Sequence, residues 1–322
     1  MNVLVTGNLP ESIISTIRAE HRVEVNPKDE PMPRDQLLSA VADKHGILSM
    51  LTDRVDDALL DQAPHLKIVA NCAVGYDNID MAAATQRRIA VTNTPGVLTD
   101  STADVVFALM LAVGRRVVEG DQRVRQGHFK HFAPFHFLGQ DISGKTLGIV
   151  GMGRIGQAVA KRAAGFNMPI IYTSRTRLPA EKEAAMGARY ENFETVLGES
   201  DFLSLNVPLT PQTHHLVGAD QLRLMKPTAI LINTARGPVI DEIALVQALR
   251  EQWIGGAGLD VYENEPFLAP GLIACKNAVV LPHVGSATIE TRTRMAELAT
   301  QNLFVGLRGG IPPNCLNSEI FT

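Results

Sequence analysis

Short apolar runs rich in β-branched residues alternate along this chain with longer stretches whose apolar positions recur at helical spacing. That alternation is the pattern of βαβ units and predicts parallel sheets. In the first hundred residues it predicts strands at Val3–Thr6, Arg22–Val25, Gly46–Ser49, Lys67–Ala70 and Ala90–Thr92. Helices near Glu11–Glu20, Arg34–Ala42, Asp56–Gln62 and Asp80–Arg87 separate them. A second series of strands begins at Thr146–Val150 and continues through Pro169–Thr173, Asp201–Leu205, Ala229–Ile232, Gly256–Asp260 and Ala278–Leu281. Between the two series the pattern predicts one long helix from Ser101 to Arg125, with Ser101-Thr102-Ala103-Asp104 as its capping box. A final helix from Ile289 to Leu307 stops at Gly309-Gly310, with Pro312-Pro313 beyond.

Two series of similar style in 322 residues indicate two domains, since one core of ordinary size does not use that much chain. The final helix has no strand after it, so it is expected to cross back and pack on the first series. Two linkers, near Thr94–Thr99 and His283–Thr288, would then join the domains. Ligands in such folds bind beyond the carboxyl ends of the strands, which is where chemistry is to be sought.

Composition narrows the partners. A chain that is 45% hydrophobic and 20% charged, with net charge −4, is not built to bind nucleic acid or a membrane surface in general. The apolar run Val105–Val113 is too short to span a bilayer. Cys72, Cys275 and Cys315 are too widely spaced for structural zinc and odd in number, which fits reduced thiols in a reducing compartment. No signal peptide is read at the start, so the cytoplasm is the expected location.

The strand Thr146–Val150 runs straight into Gly151-Met152-Gly153-Arg154-Ile155-Gly156, followed by a helix read as Gln157–Ala164. The first glycine permits a tight turn, the second lets a pyrophosphate reach the backbone, and the third lets helix pack on strand. The helix N-terminus then offers unpaired N–H groups and the positive end of its dipole. In strand–turn–helix context this is a dinucleotide fingerprint. The next strand ends in Ser174-Arg175-Thr176-Arg177, where an acidic residue would normally accept from the adenosine ribose. Hydroxyls and guanidinium groups suit a 2′-phosphate, so NADP(H) is preferred and NAD(H) remains possible.

Three chemically capable residues follow the last strands of the second series: Arg236, Glu265 and His283. Hydride transfer to a 2-keto acid needs a proton donor for the carbonyl oxygen and a cation for the carboxylate. Histidine titrates near neutrality, a carboxylate beside it stabilises imidazolium and orients the ring, and arginine presents a planar fork to carboxylate oxygens.

The chain resembles the D-isomer-specific 2-hydroxyacid dehydrogenase family over nearly its whole length. The resemblance rests on Val74-Gly75-Tyr76-Asp77-Asn78-Ile79-Asp80, the phosphate turn, Asn233-Thr234-Ala235-Arg236-Gly237, Gly258-Leu259-Asp260-Val261-Tyr262-Glu263 with Glu265-Pro266, and Pro282-His283. It implies an α/β fold of two doubly wound parallel-sheet domains. In it a Rossmann cofactor domain, residues 99–287, is inserted into a flavodoxin-like substrate domain, residues 1–98 and 288–322. It implies that His283 is the acid/base, that Glu265 pairs with it, and that Arg236 binds and polarises substrate. Asp260, Thr234, Ala235 and Thr102 would lie at the nicotinamide, with Val207, Pro208, Thr213 and Gly285 as further cofactor contacts. Val74 and Gly75 would offer amides to the substrate carboxylate, with Leu51 and Ser286 nearby.

Within the family, Leu51-Thr52-Asp53, Ser174–Arg177, Pro282–Ala287 and Ile311-Pro312-Pro313-Asn314 resemble the glyoxylate and hydroxypyruvate reductases. The expected reaction is reduction of a small 2-keto acid, completed by domain closure that excludes water. The alternatives are a dehydrogenase for D-3-phosphoglycerate or a bulkier D-hydroxy acid, and a non-catalytic NAD(H)-sensing protein like the corepressors that share the fold. The segment from His128 to Phe137 carries three histidines without an acidic or cysteine partner at ligand spacing, so no metal is expected there. Its aromatics suit an arm or subunit contact, and the family resemblance implies a homodimer through the cofactor domain.

Overall fold

The first-series strands are short, apolar and parallel because each is returned to the same sheet by a helix. In the computed structural model, which describes residues 1–322, the chain forms two compact units, Met1–Leu98 with Thr288–Thr322 and Thr99–Ala287. The first unit begins β1 (Asn2–Val5), α1 (Glu11–Arg18), β2 (Arg22–Val25), α2 (Arg34–Ala40), β3 (Gly46–Ser49), α3 (Asp57–Asp61), β4 (Ile68–Asn71), α4 (Met81–Gln86) and β5 (Ala90–Thr92). The sheet order is β2-β1-β3-β4-β5, all parallel, which is the flavodoxin-like order. Every residue of β3 and β4 is buried, as helices on both faces demand, whereas edge strand β2 has no buried residue. Asp56 and Asp80 start α3 and α4 by accepting from Leu59 N (3.1 Å) and Ala83 N (2.9 Å).

The second unit comprises α5 (Thr99–Gly114), α6 (Val117–Arg125), β6 (Leu147–Val150), α7 (Arg154–Ala163), β7 (Ile170–Thr173), α8 (Ala180–Met186), β8 (Ala188–Tyr190), α9 (Phe193–Glu199), β9 (Phe202–Leu205), α10 (Ala219–Leu224), β10 (Ile230–Asn233), α11 (Glu242–Arg250), β11 (Gly256–Leu259) and β12 (Ala278–Val280). Its seven parallel strands lie in the order β12-β11-β10-β9-β6-β7-β8. The chain therefore moves outward from β6 through β7 to β8, then restarts on the other side at β9. That reversal is the Rossmann arrangement, and the crevice it opens at the carboxyl ends of β6 and β9 is where a dinucleotide belongs. One face of the sheet packs against α5 and α7, the other against α9, α10 and α11.

The single long helix expected over Ser101–Arg125 is two helices. Arg116 adopts a left-handed conformation (φ 53°) between them. Helix α5 is buried along most of its length, while α6 has no buried residue. The chain leaves the core at Arg115-Arg116, and the helical period continues on a segment with nothing to pack on. The capping box is also displaced: α5 starts at Thr99, so Ser101 and Thr102 are buried within its first turns. The strand β8 escaped the pattern because three residues at a sheet edge, none of them buried, leave no apolar run to read.

The last helix, α12 (Ile289–Leu307), belongs to the first unit and packs on β3 and β4. Thr288 caps it by accepting from Thr291 N (3.0 Å). Ala296, Ala299, Leu303 and Leu307 face Val3, Val5, Leu48, Ile68 and Ala70 in one cluster. Leu303 is fully buried there, and Leu303→Ala is expected to cost about 2–5 kcal/mol. No helix is long and apolar enough to cross a membrane.

Candidate active site

The phosphate turn is shaped for close approach by something other than a side chain. Gly151 has φ +95°, and a Cβ there would sit 2.6 Å from Asn206 O; one on Gly156 would sit 2.2 Å from Gly151 O. A Cβ on Gly153, by contrast, would meet nothing within 4 Å. Helix α7 starts at Arg154 and Ile155, earlier than the sequence suggested, and Gly153 at its N-cap supplies no side-chain acceptor. The first amides of α7 thus open onto space that only glycine leaves free. Two buried polar atoms at neighbouring strand ends, Asn206 Oδ1 after β9 and Thr234 Oγ1 after β10, have no hydrogen-bond partner. Open glycine cradle, uncapped helix and orphaned polar atoms together suit a dinucleotide. The loop after β9 carries Val207, Pro208 and Thr213. Thr213 Oγ1 donates to Pro208 O (2.6 Å) and lies 2.8 Å from Thr210 N, which donates to it.

After β7 the expected ribose segment divides. Ser174 is partly exposed, and Arg175 and Thr176 are exposed. Arg177 is committed elsewhere: its Nε and Nη2 donate to Glu183 Oε1 and Oε2, both at 2.8 Å. Glu183, buried on α8, also accepts from the hydroxyl of Tyr172 (2.6 Å), which in turn accepts from Leu178 N (2.9 Å). The Arg177 hydrogen bonds, then that of Tyr172, pull the Glu183 carboxyl down to about 2.

At the other half of the sheet, the ends of β10, β11 and β12 deliver the second set. After β10, Ala235 N donates to Asn233 Oδ1 (3.0 Å) and Asn233 Nδ2 donates to Arg236 O (2.9 Å). Arg236 Nη1 donates to Ala235 O (2.8 Å). The chain then passes so close to the next loop that a Cβ on Gly237 would lie 1.8 Å from Tyr262 C, so only glycine fits. After β11, Glu265 Oε1 accepts from Tyr262 N (3.0 Å), which leaves Oε2 facing His283 Nδ1 at 2.9 Å. Burial works to raise the Glu265 pKa, but His283, the Tyr262 amide and the charge of Arg236 outweigh it and hold the carboxyl below its ordinary value.

His283 stands in a left-handed turn (φ 53°) that Asp260 clamps. The Asp260 carboxylate is buried and accepts from Val284 N and Gly285 N, each at 2.7 Å. Its burial raises its pKa against the pull of those amides and of His283. Thr102, on α5, donates to Gly285 O (3.3 Å), and Ala287 N donates to Val284 O (2.8 Å) to close the turn that holds Ser286. Tyr262 braces the same strand by donating to Leu281 O (2.7 Å); burial pushes its phenol up to about 12. Elsewhere on this unit, ligand-type atoms of His214, His215 and Glu263 lie within 4.8 Å of one another, and His215 Nε2 and Glu263 Oε1 share a hydrogen bond (2.7 Å).

In the first unit, the carbonyls of Val74 and Gly75 are held by the Nδ2 atoms of two buried asparagines, Asn93 and Asn71, each at 2.8 Å. Leu51 lies in a turn after β3 closed by Asp53 N donating to Met50 O (3.1 Å), with Met50 N donating back to Asp53 Oδ2 (2.7 Å). Sequence reasoning named the side chains expected to touch ligand and missed those holding them: Asn71, Asn93, Gly237, Tyr262 and Glu183. The local signals were Gly237 and Tyr262, each within a recognised motif. The others become meaningful only once their partners are known.

A dinucleotide cradle and an Arg/Glu/His rim on one doubly wound sheet define an NAD(P)-dependent dehydrogenase. Residues 107–285 match the family model described as D-isomer specific 2-hydroxyacid dehydrogenase, NAD binding domain. The chain is 54% identical to a glyoxylate reductase of Thermococcus litoralis, across 99% of this chain and 98% of that one. Among solved structures it is similar to a protein of Thermus thermophilus (TM-score 0.92, 46% identity, 98% and 100% of the two chains). It is also similar to the NADPH-dependent glyoxylate/hydroxypyruvate reductase of Sinorhizobium meliloti, solved with NADP and malonate (TM-score 0.86, 33% identity, 99% and 98%). The chain belongs to the D-isomer specific 2-hydroxyacid dehydrogenase family.

Proposed function

We propose that this protein reduces glyoxylate, and hydroxypyruvate with it, to the corresponding 2-hydroxy acid, using NADPH in preference to NADH. The observation that carries the chemistry is the 2.9 Å contact between His283 Nδ1 and Glu265 Oε2 on the rim that also bears Arg236. The choice of keto acid rests on the glyoxylate reductases to which the chain is similar.

Gly151, Gly153, Arg154, Ile155 and Gly156 would hold the pyrophosphate, Thr102, Thr234, Ala235 and Asp260 would frame the nicotinamide end, and Val207, Pro208, Thr213 and Gly285 would be further cofactor contacts. A bound reduced nicotinamide supplies hydride to a carbonyl carbon. With Nδ1 engaged by Glu265, His283 keeps Nε2 for substrate and gives its proton there to the developing alkoxide. Glu265, ionised across the neutral range, stabilises imidazolium while that proton waits. Arg236 holds the carboxylate and polarises the carbonyl, a task for which its planar fork suits it. In the first unit, Val74 and Gly75, whose carbonyls are turned onto asparagines, keep their amides for a carboxylate, with Leu51 as a further substrate contact; in the second unit that further contact is Ser286. The NADPH preference rests on the exit of β7, where Ser174, Arg175 and Thr176 stand in place of an acidic residue.

The second unit also bears an apolar surface that one chain leaves wet. Val117 (55% exposed) and Val124 (59%) on α6 are exposed, as are Phe132 (82%) and Phe135 (89%) of the following segment. A second copy covering this face makes the protein a homodimer, and light scattering behind size exclusion tests it. The cysteines are unpaired, in keeping with a reducing, cytoplasmic setting.

Steady-state kinetics with NADPH and NADH against glyoxylate, hydroxypyruvate and pyruvate, and with D-3-phosphoglycerate in the oxidative direction, test the whole reading. Turnover confined to phosphoglycerate would replace the substrate assignment. Tight cofactor binding without turnover of any acid would favour the sensing reading instead.

A further inference from the structure

Two arginines follow β7, yet the structure treats them differently. Arg177 is bound in bidentate fashion to Glu183, and its guanidinium lies 5.3 Å from the centre of the Tyr190 ring. Glu183 is anchored in turn by the buried Tyr172, whose hydroxyl also receives the Leu178 amide. The whole segment from Tyr172 to Glu183 is thus closed by a carboxylate donated from α8. Arg175 and Thr176, in the same loop, are exposed, as is Arg177, so the difference between the arginines is the carboxylate and not burial. The three charged side chains Arg175, Arg177 and Glu183 sum to +1, so the carboxylate cancels half of the positive charge the sequence displays there.

We propose that Glu183 is a specificity-determining residue for the adenosine end of the cofactor. By neutralising Arg177 and tying it to α8, it leaves Arg175 as the cation offered to a 2′-phosphate. It moderates the preference for the phosphorylated cofactor and preserves use of the unphosphorylated one. This rests on the reading that the exit of β7 receives the adenosine ribose. The physical reason is local: a phosphate at this loop feels both the guanidinium and the carboxylate bonded to it. At such separations the two contributions largely cancel, and salt screens what remains. A carboxylate that contacted the ribose directly would instead reject a 2′-phosphate; Glu183 acts one residue removed, through Arg177.

Binding of adenosine 2′,5′-bisphosphate and of 5′-AMP to the full chain, measured by calorimetry, tests this without any turnover. Substituting Glu183→Gln raises the three-residue charge to +2 and is expected to tighten the bisphosphate about five- to tenfold, with 5′-AMP unchanged within twofold. Arg177→Gln lowers the charge to zero and weakens the bisphosphate by a similar factor. The double variant returns to +1 and to nearly wild-type selectivity. All differences shrink toward twofold at about 0.5 M salt.

Equal weakening of both ligands by Glu183→Gln would show a purely structural strut and overturn the proposal. So would a double variant as weak for the bisphosphate as Arg177→Gln alone, since Arg177 would then be a direct ligand. Tyr172→Phe removes one bond to Glu183 without changing charge; it is expected to lower the melting temperature and leave selectivity within twofold. A selective loss of bisphosphate binding in that variant would also defeat the electrostatic account, and it remains informative if Glu183→Gln does not fold. Arg175→Gln checks the underlying reading separately: unchanged selectivity in both Arg175→Gln and Glu183→Gln means that the β7 exit is not the ribose site, whereas unchanged selectivity in Arg175→Gln alone means that Arg175 is not the cation offered and overturns the proposal.

Discussion

Two of the second unit's carboxylate–cation pairs are built in opposite ways. Glu265 meets His283 across one 2.9 Å bond, both side chains about one-third exposed, and its other oxygen is fixed by a backbone amide. Glu183 meets Arg177 across two bonds and takes a third from Tyr172, with a side chain only 10% exposed. In the first pair the cation is an imidazolium, which suits passing a proton on. In the second the cation never loses its charge, and the carboxyl is driven down to about 2. Partner chemistry and bond count, not proximity alone, separate a pair suited to handling protons from one suited to shaping a loop.

The comparison breaks most visibly at His283. His283→Ala is expected to lower kcat about 10³- to 10⁴-fold while the NADPH dissociation constant moves less than threefold. Stopped-flow turnover alongside fluorescence titration would expose the error if kcat survived. Glu265→Gln keeps the geometry but removes the charge that stabilises imidazolium; a loss of about 100-fold in kcat, larger than any change in KM, is expected. If KM alone rose, Glu265 would be a binding group instead.

A smaller effect is expected at the adenosine side. Arg175→Ala should weaken NADPH about tenfold and leave NADH within twofold, read from KM for each cofactor. The smallest concerns stability. Glu183 is depressed from 4.5 to about 2 in the folded chain, so its stabilising contribution is complete above pH 4.5 and disappears as pH falls toward 2. Thermal melts of wild type and Glu183→Gln should therefore differ at pH 6 and converge by pH 2. A gap that stayed constant across that range would mean the carboxylate's ionisation contributes nothing.

Much of the fold was legible because parallel strands buried on both faces must be apolar throughout. Strands β2, β3 and β5 fall where the pattern put them, and most others differ by a single residue. The pattern failed where burial stopped informing it: at α6, helical in period but packed on nothing, and at β8, too short and too exposed to register. Arg236, Glu265 and His283 stood out as candidates because each follows a strand at the rim where such sheets bind ligands. Asp260 was expected to face the nicotinamide; its clamp on the Val284 and Gly285 amides could not be anticipated, because those donors lie 24 and 25 residues further along the chain.

The sequence by itself determined the two α/β series, the glycine turn and the residue types at the strand ends, because periodicity and steric need are local properties. Only tertiary structure decided what those residues are bonded to. Arg175 and Arg177 look equivalent in sequence, two residues apart in one loop. Both are exposed, yet folding brings Glu183 from the neighbouring helix onto Arg177 in particular. That choice depends on where α8 packs against β7, and no local pattern contains it.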